Sequence, residues 1–254
     1  MDGALSRHAL VTGGGKGIGL SIAAALSAAG IAVSIAGRDL AALEAAVTRG
    51  EALAAIVADV TDEASVRAAA AEAARRQPID ILVNNAGGVE TGPFARLDDA
   101  AFERQLDLNL MGAVRMTRAV LPGMAERGFG RVINVASTAG LKGYAYVTAY
   151  VAAKHAVIGF TRALALETAR SGVTVNALCP GYADTDLVRA SVARISAKTG
   201  GAPADVLAQF VAVNPQRRLV RPQEVAAAAV WLASEAAASV NGQAIAIDGG
   251  ESVA

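Results

Sequence analysis

Short apolar runs rich in valine and isoleucine recur along the chain between longer alanine-rich stretches. The runs fall at 8–12, 31–36, 53–57, 79–84, 130–135, 173–179 and 243–247. They are continuous rather than alternating, the pattern of parallel strands buried on both faces. The stretches between them, at 18–29, 40–49, 63–77, 100–127, 149–171 and 222–234, have helical composition. Asp39 and Asp62 precede two of these as N-cap candidates, and Gly30 stands where a glycine would close a helix. Strand and helix alternate without linker or repeat. The pattern predicts one α/β domain over residues 1–254, a single doubly wound (Rossmann-type) parallel seven-stranded sheet with helices on both faces.

One segment breaks the rhythm. Residues 180–219 follow the sixth strand, where a loop of about 2–6 residues is usual. Candidate helices at 186–198 and 204–213 lie within it. An insertion at the carboxyl edge of a parallel sheet, here 182–219, is where a substrate lid belongs; a structural excursion or an interface arm is the plainer alternative.

Charge placement raises a second question. No charged residue lies between Lys16 and Arg38, a gap about as long as a bilayer span. Gly17, Gly19, Gly30 and Gly37 punctuate the gap, and Ser21, Ser27 and Ser34 dilute it. A helix followed by a short buried strand fits it better than a membrane span. The first eight residues lead into no signal-peptide core. The expectation is a soluble, cytoplasmic chain with no membrane association.

Composition narrows the class. The 254 residues are 54% apolar, with 23 Lys plus Arg against 23 Asp plus Glu, so the formal net charge is zero. A nucleic-acid partner would need a basic surplus. A single cysteine, Cys179, allows no internal disulfide and fits a reducing compartment. It ends a buried-looking strand and reads as a small apolar filler. His8 has no evident partner, His155 reads as structural, and Trp231 reads as core or interface.

Candidate chemistry gathers at strand ends. The first strand runs into T-G-G-G-K-G-I-G at 12–19, then directly into a helix. Gly13, Gly15, Gly17 and Gly19, with Lys16 and Ile18, form a turn where backbone approaches a pyrophosphate and a helix N-terminus offers free N–H groups. The second strand ends in Gly37-Arg38-Asp39. Arg38 and Lys16 suit a 2′-phosphate; Asp39 suits either the ribose or the N-cap of the next helix. Tyr150 and Lys154 share one helical face four residues apart. A free phenol titrates near about 10, and the adjacent ammonium should lower that value towards neutrality. Ser137 ends the fifth strand, Asn84-Asn85-Ala86-Gly87 closes the fourth, and Pro180-Gly181 closes the sixth with Thr185 just beyond. Asn109 sits in mid-helix despite poor helix propensity, which calls for a local reason.

In this order and spacing the residues resemble the compact branch of the short-chain dehydrogenase/reductase family, from about residue 9 to about residue 250. The matching motifs are the glycine turn, Asp59-Val60, Asn84–Gly87, Ser137 with Tyr150 and Lys154, and Pro180-Gly181. The resemblance implies an NAD(P)-dependent oxidoreductase with a catalytic tetrad at Asn109, Ser137, Tyr150 and Lys154. It implies hydride transfer between a carbonyl and a secondary alcohol, with Tyr150 as acid/base. Ser137 would orient the carbonyl, Lys154 would hold the nicotinamide ribose, and Asn109 would anchor a relay water. Asp59, Val60, Asn85, Ala86, Gly87, Tyr150, Lys154, Pro180, Gly181 and Thr185 would complete the cofactor site, with NADP(H) favoured over NAD(H). No metal is needed, because the Tyr/Ser pair takes the electrophilic role. A homotetramer paired through the helices at 100–127 and 149–171 is implied as well.

For the substrate, Ser137, Leu141, Tyr144, Val147, Tyr150, Tyr182 and Leu187 should line an apolar pocket. Arg189, Arg194, Lys198, Arg217, Arg218 and Arg221 give the insertion a basic bias suited to a thioester's phosphates, or an ordinary solvated face. The leading expectation is an NADP(H)-linked reductase of 3-oxoacyl thioesters (CoA or acyl-carrier) or related β-keto compounds. The alternatives are a dehydrogenase of a hydrophobic cyclic, steroid-like or xenobiotic alcohol, and a non-catalytic nucleotide sensor.

Overall fold

A computed structural model describes residues 7–253. Its strands are β1 His8–Thr12, β2 Ala32–Gly37, β3 Ala54–Val57, β4 Ile81–Asn84, β5 Gly130–Val135, β6 Val173–Pro180 and β7 Ala244–Ile247. They form a seven-stranded sheet in the order β3-β2-β1-β4-β5-β6-β7, and every pairing is parallel. All residues of β1, β4, β5 and β6 are buried, which is why those segments carry no polar alternation.

The helices are α1 Gly17–Ala28, α2 Leu40–Thr48, α3 Glu63–Arg76, α4 Asp99–Leu106, α5 Gly112–Glu126, α6 Thr148–Thr168, α7 Asp186–Thr199, α8 Pro203–Val213 and α9 Pro222–Ala233. On one face, Ile22 and Leu26 of α1, Leu43 of α2, and Val225 and Leu232 of α9 pack against the sheet. On the other face, Val66 of α3, Met116 and Val120 of α5 and Ala165 of α6 do the same. Asp39 and Asp62 cap as expected, accepting backbone N–H groups at Ala42 and at Ala64 and Ser65. Gly30, at φ +82°, closes α1. The uncharged gap is therefore α1 plus β2, and among the described residues no helix is long and apolar enough to cross a membrane.

The expected helix at 100–127 is a correction. It is α4 and α5 joined by a π-helical turn, Asp107–Met111. The wider turn accommodates Asn109, whose buried carboxamide leaves the helix to bond the strand-end loop at Gly88. His8 also differs from expectation. It is buried, with Nδ1 2.7 Å from the Gln77 carbonyl and Nε2 2.9 Å from Ser34 Oγ.

The insertion packs on itself. Val188, Val192 and Val206 form a small core with Tyr182, Ile195, Phe210 and Leu219. A single parallel bridge between Ala183 and Val220 closes its neck. There the Asp184 N–H donates to Val220 O at 2.9 Å, and the Val220 N–H donates to Tyr182 O at 2.8 Å.

Under the sheet, Asn84 Nδ2 donates to Asn134 Oδ1 at 2.9 Å and to Thr117 Oγ1 at 3.0 Å. Asn134 Nδ2 donates to Thr161 Oγ1 at 2.9 Å. This buried chain pins α5 and α6 to β4 and β5. Asn134→Leu strands partners in an apolar setting and should lower stability by about 1–3 kcal/mol. Urea unfolding monitored by circular dichroism measures that loss.

Candidate active site

The sheet order reverses between β1 and β4, so the helices that follow these strands lie on opposite faces and a crevice opens at their carboxyl ends. Thr12 and Asn85 close its floor. Thr12 Oγ1 accepts the backbone N–H groups of Asn85 at 3.0 Å and Ala86 at 3.1 Å. Asn85 Nδ2 donates to the carbonyls of Thr12 at 3.0 Å and Gly13 at 3.1 Å. Gly13 has φ +63°, and a methyl group there would lie 2.8 Å from Asn85 Nδ2, so only glycine fits.

The first turn of α1 differs from its neighbours. α2, α3 and α4 each begin at an aspartate that caps them, whereas α1 begins at Lys16 with no side-chain cap and no acid in its first turn. Its orphan N–H groups and positive dipole end therefore face the glycine turn, which fits a pyrophosphate. Thr185 is buried and closes the turn from the β6 side, where a methyl group on Gly17 would lie 3.3 Å from its Cγ2.

At the end of β2, Arg38 is exposed. Lys16 Nζ lies 2.6 Å from Asp39 Oδ2, while Asp39 Oδ1 caps α2. Their hydrogen bond and charge attraction lower the Asp39 pKa and raise that of Lys16. Asp59 accepts from the Thr61 N–H and hydroxyl, which holds its carboxyl below the usual range, with Arg38 adding a weaker pull. Val60 is buried among the core residues beneath α5.

Ser137, Tyr150 and Lys154 come together between β5 and α6. The Ser137 hydroxyl caps the turn Thr138–Gly140 by accepting the Ala139 N–H at 3.1 Å, and it lies near enough to the Tyr150 phenol to oppose its upward shift. Lys154 is buried, with Nζ 5.6 Å from the Tyr150 ring centroid, and donates to the Val135 carbonyl at 2.9 Å. Asn109 arrives from the π turn: a methyl group on Gly87 would lie 2.7 Å from Asn109 Oδ1 and 3.6 Å from Lys154 Nζ. Its carboxamide bonds both ends of Gly88, accepting the N–H at 3.2 Å and donating to the carbonyl at 2.9 Å.

The electrostatics depart from expectation. Burial pushes the Tyr150 phenol above its usual value, although the Ser137 hydroxyl works against it. Burial also lowers Lys154 to about 8. Desolvation of both groups thus outweighs the lowering expected of Tyr150 from the ammonium alone.

The proposed substrate residues divide. Tyr144 and Tyr182 meet edge to face at 6.1 Å between centroids, and Tyr182 meets Phe210 of α8 at 4.7 Å. Val147 is half-buried at the start of α6, and Leu187 is exposed at the start of α7. Leu141 instead packs on the cluster of Ala136, Val157 and Ile158, because the turn at Thr138–Gly140 aims it under α6. Gly181 continues β6 by donating its N–H to Ile247 O at 3.1 Å, just past Pro180. The basic bias of the insertion is smaller than its sequence implies. Arg189 pairs with Asp184 and Asp186, and Arg218 and Arg221 pair with Glu224. Arg194, Lys198 and Arg217 make no ion pair among the described residues.

Cys179 is buried, Trp231 is 43% exposed, and His155 bonds within its own helix, to Val151 O. Two contributors escape sequence reasoning. Thr12 opens the glycine motif, but its bonds to the fourth strand show only in three dimensions. Glu251 lies beyond the last strand in no motif, yet it is buried and bonded to Tyr144.

The family model described as short chain dehydrogenase matches residues 7–195. An acetoacetyl-CoA reductase of Shinella zoogloeoides is 41% identical, covering 97% of this chain and 99% of its own. A D-beta-hydroxybutyrate dehydrogenase of Cupriavidus necator is 40% identical, covering 96% and 97%. The crystal structure of a single-residue variant of actinorhodin polyketide ketoreductase with NADPH superposes with TM-score 0.93 at 37% identity, covering 98% of both chains. On the family match and these near full-length relatives, the chain belongs to the short-chain dehydrogenase family, oxidoreductases that act on CH–OH groups.

Proposed function

We propose that the protein reduces a β-keto thioester, or a related β-keto compound, with NADPH. The observation that carries this reading is the convergence of Ser137, Tyr150 and Lys154 beside a glycine turn whose helix is left uncapped. A nicotinamide dinucleotide bound along that turn supplies the hydride. Gly13, Gly15, Gly17, Ile18 and Gly19 offer the backbone surface for its pyrophosphate, and Thr185 closes over it. Asp59 and Val60 are assigned to the adenine end; Asn85, Ala86, Gly87, Pro180 and Gly181 border the nicotinamide end. Arg38 takes the 2′-phosphate, and Lys16 joins it by giving up Asp39, which keeps its place as the cap of α2.

On the reacting side, Ser137 holds the substrate carbonyl oxygen and Tyr150 hands it the phenolic proton. Lys154 serves the nicotinamide ribose and stabilises the phenolate left behind. Ribose hydroxyls beside that ammonium would supply hydrogen bonds that burial alone denies it. Asn109 fixes the loop at Gly88 and closes a proton path towards Lys154. The insertion acts as a lid, bringing Tyr182, Leu187 and Phe210 over the acyl group. Its unpaired cations, Arg194, Lys198 and Arg217, meet the thioester's phosphates.

Tyr150→Phe should leave NADPH binding near normal by fluorescence titration while cutting turnover about a thousandfold. Full activity in that variant would sink the mechanism. Arg38→Asp should move the NADPH-to-NADH ratio of kcat/KM towards NADH by at least about tenfold, the scale of one lost charge-assisted contact. Acetoacetyl-CoA should be reduced with a higher kcat/KM than a simple ketone of equal chain length, and the advantage should shrink as salt rises. Equal rates on a cyclic ketone overturn the thioester assignment.

A further inference from the structure

Behind the aromatic wall lies a charged corner that the proposed reaction does not use. Glu251 is 2% exposed and sits in the turn after β7. Its Oε1 accepts the Tyr144 phenol and lies 3.4 Å from Lys142 Nζ, which also donates to the Glu251 carbonyl at 2.9 Å. Its Oε2 is buried without a hydrogen-bond partner. A methyl group on Gly181 would lie 3.0 Å from that oxygen, so the bare carboxylate edge is turned towards the end of β6. Asp248, also buried, is fixed in the same turn by the N–H groups of Gly250 at 2.9 Å and Ser252 at 2.8 Å. The corner thus holds two carboxylates and one ammonium, a net negative charge.

This corner borders the cleft on the side away from the glycine turn. Tyr144 Oη lies 2.7 Å from Thr138 Oγ1, one residue past Ser137, and its ring meets Tyr182 of the insertion. A substrate held at Ser137 and Tyr150 would place the group beyond its β-carbon along this wall. A free keto acid carries a carboxylate there; an ester or thioester carries a neutral carbonyl. We propose that Glu251 is a positioning residue that sets charge specificity: it binds Lys142 and Tyr144 to itself, so the wall offers no cation to a substrate carboxylate and the enzyme prefers the neutral β-keto ester or thioester over the β-keto acid. The proposal rests on the β-keto reductase reading. It addresses a division already present among the relatives, which include both an acetoacetyl-CoA reductase and a hydroxybutyrate dehydrogenase.

The test compares acetoacetate with ethyl acetoacetate as substrates of the full chain with NADPH, scored as the ratio of kcat/KM, acid over ester. Glu251→Gln keeps an acceptor for Tyr144 and removes the charge opposite Lys142, leaving the ammonium its backbone bond but no counter-charge from residue 251; the ratio should rise about tenfold or more, chiefly through a lower KM for the acid. Lys142→Met removes the cation and should move the ratio the other way. An unchanged or lower ratio in Glu251→Gln overturns the proposal while leaving ester reduction standing. Should Glu251→Gln fail to fold, Lys142→Met decides, and a ratio that does not fall overturns the proposal. A native chain that reduces neither compound overturns the β-keto reading and the proposal with it.

Discussion

A parallel sheet delivers every strand's carboxyl end to the same edge, and the reversal of order between β1 and β4 opens that edge into a crevice. The rest of the molecule is arranged around this constraint. It brings a glycine turn, Asn85, Ser137 and Pro180 to the edge of one crevice although they are scattered across the chain. It also dictates the cost at the site. Tyr150 and Lys154 sit where three layers meet, so both lose water, and both titrate away from the values they would have on a surface. The carbonyl of Val135, the last residue of β5, is what makes an ammonium tolerable there.

How much of this is readable from sequence follows from the kind of interaction involved. The strands are legible because burial on both faces removes polar alternation, and α2 and α3 because Asp39 and Asp62 announce their first turns. The Ser137, Tyr150 and Lys154 set is legible because an i, i+4 pair on a helix and a residue at a strand end need no tertiary knowledge to be placed. The π turn is visible only as an anomaly, an asparagine in mid-helix, since its cause is the Gly88 loop reaching it from 21 residues away. The engagement of Lys16 by Asp39 and of Tyr144 by Glu251, across 107 residues in the second case, depends on how the chain closes. No local pattern encodes either. The direction of the tyrosine shift is hidden for a related reason: charge proximity can be read from spacing, but desolvation cannot.

Asp39 shows how one side chain can cap a helix and hold a neighbouring cation at once. One oxygen caps α2 and the other holds Lys16, so the cation beside the glycine turn is held in place by a residue whose first duty is structural. The exposure of both partners keeps that pair weak and readily exchanged.

The neck of the insertion has a different consequence. Between Ala183 and Val220, whose single bridge closes the neck, the apolar side chains Val188, Val192, Val206 and Phe210 bury largely against one another. Beyond Thr185, which closes the glycine turn, sequence drift inside this cassette leaves the strand ends undisturbed. A lineage built on this scaffold can therefore acquire new substrates by rewriting some forty residues, with no need to rediscover the fold.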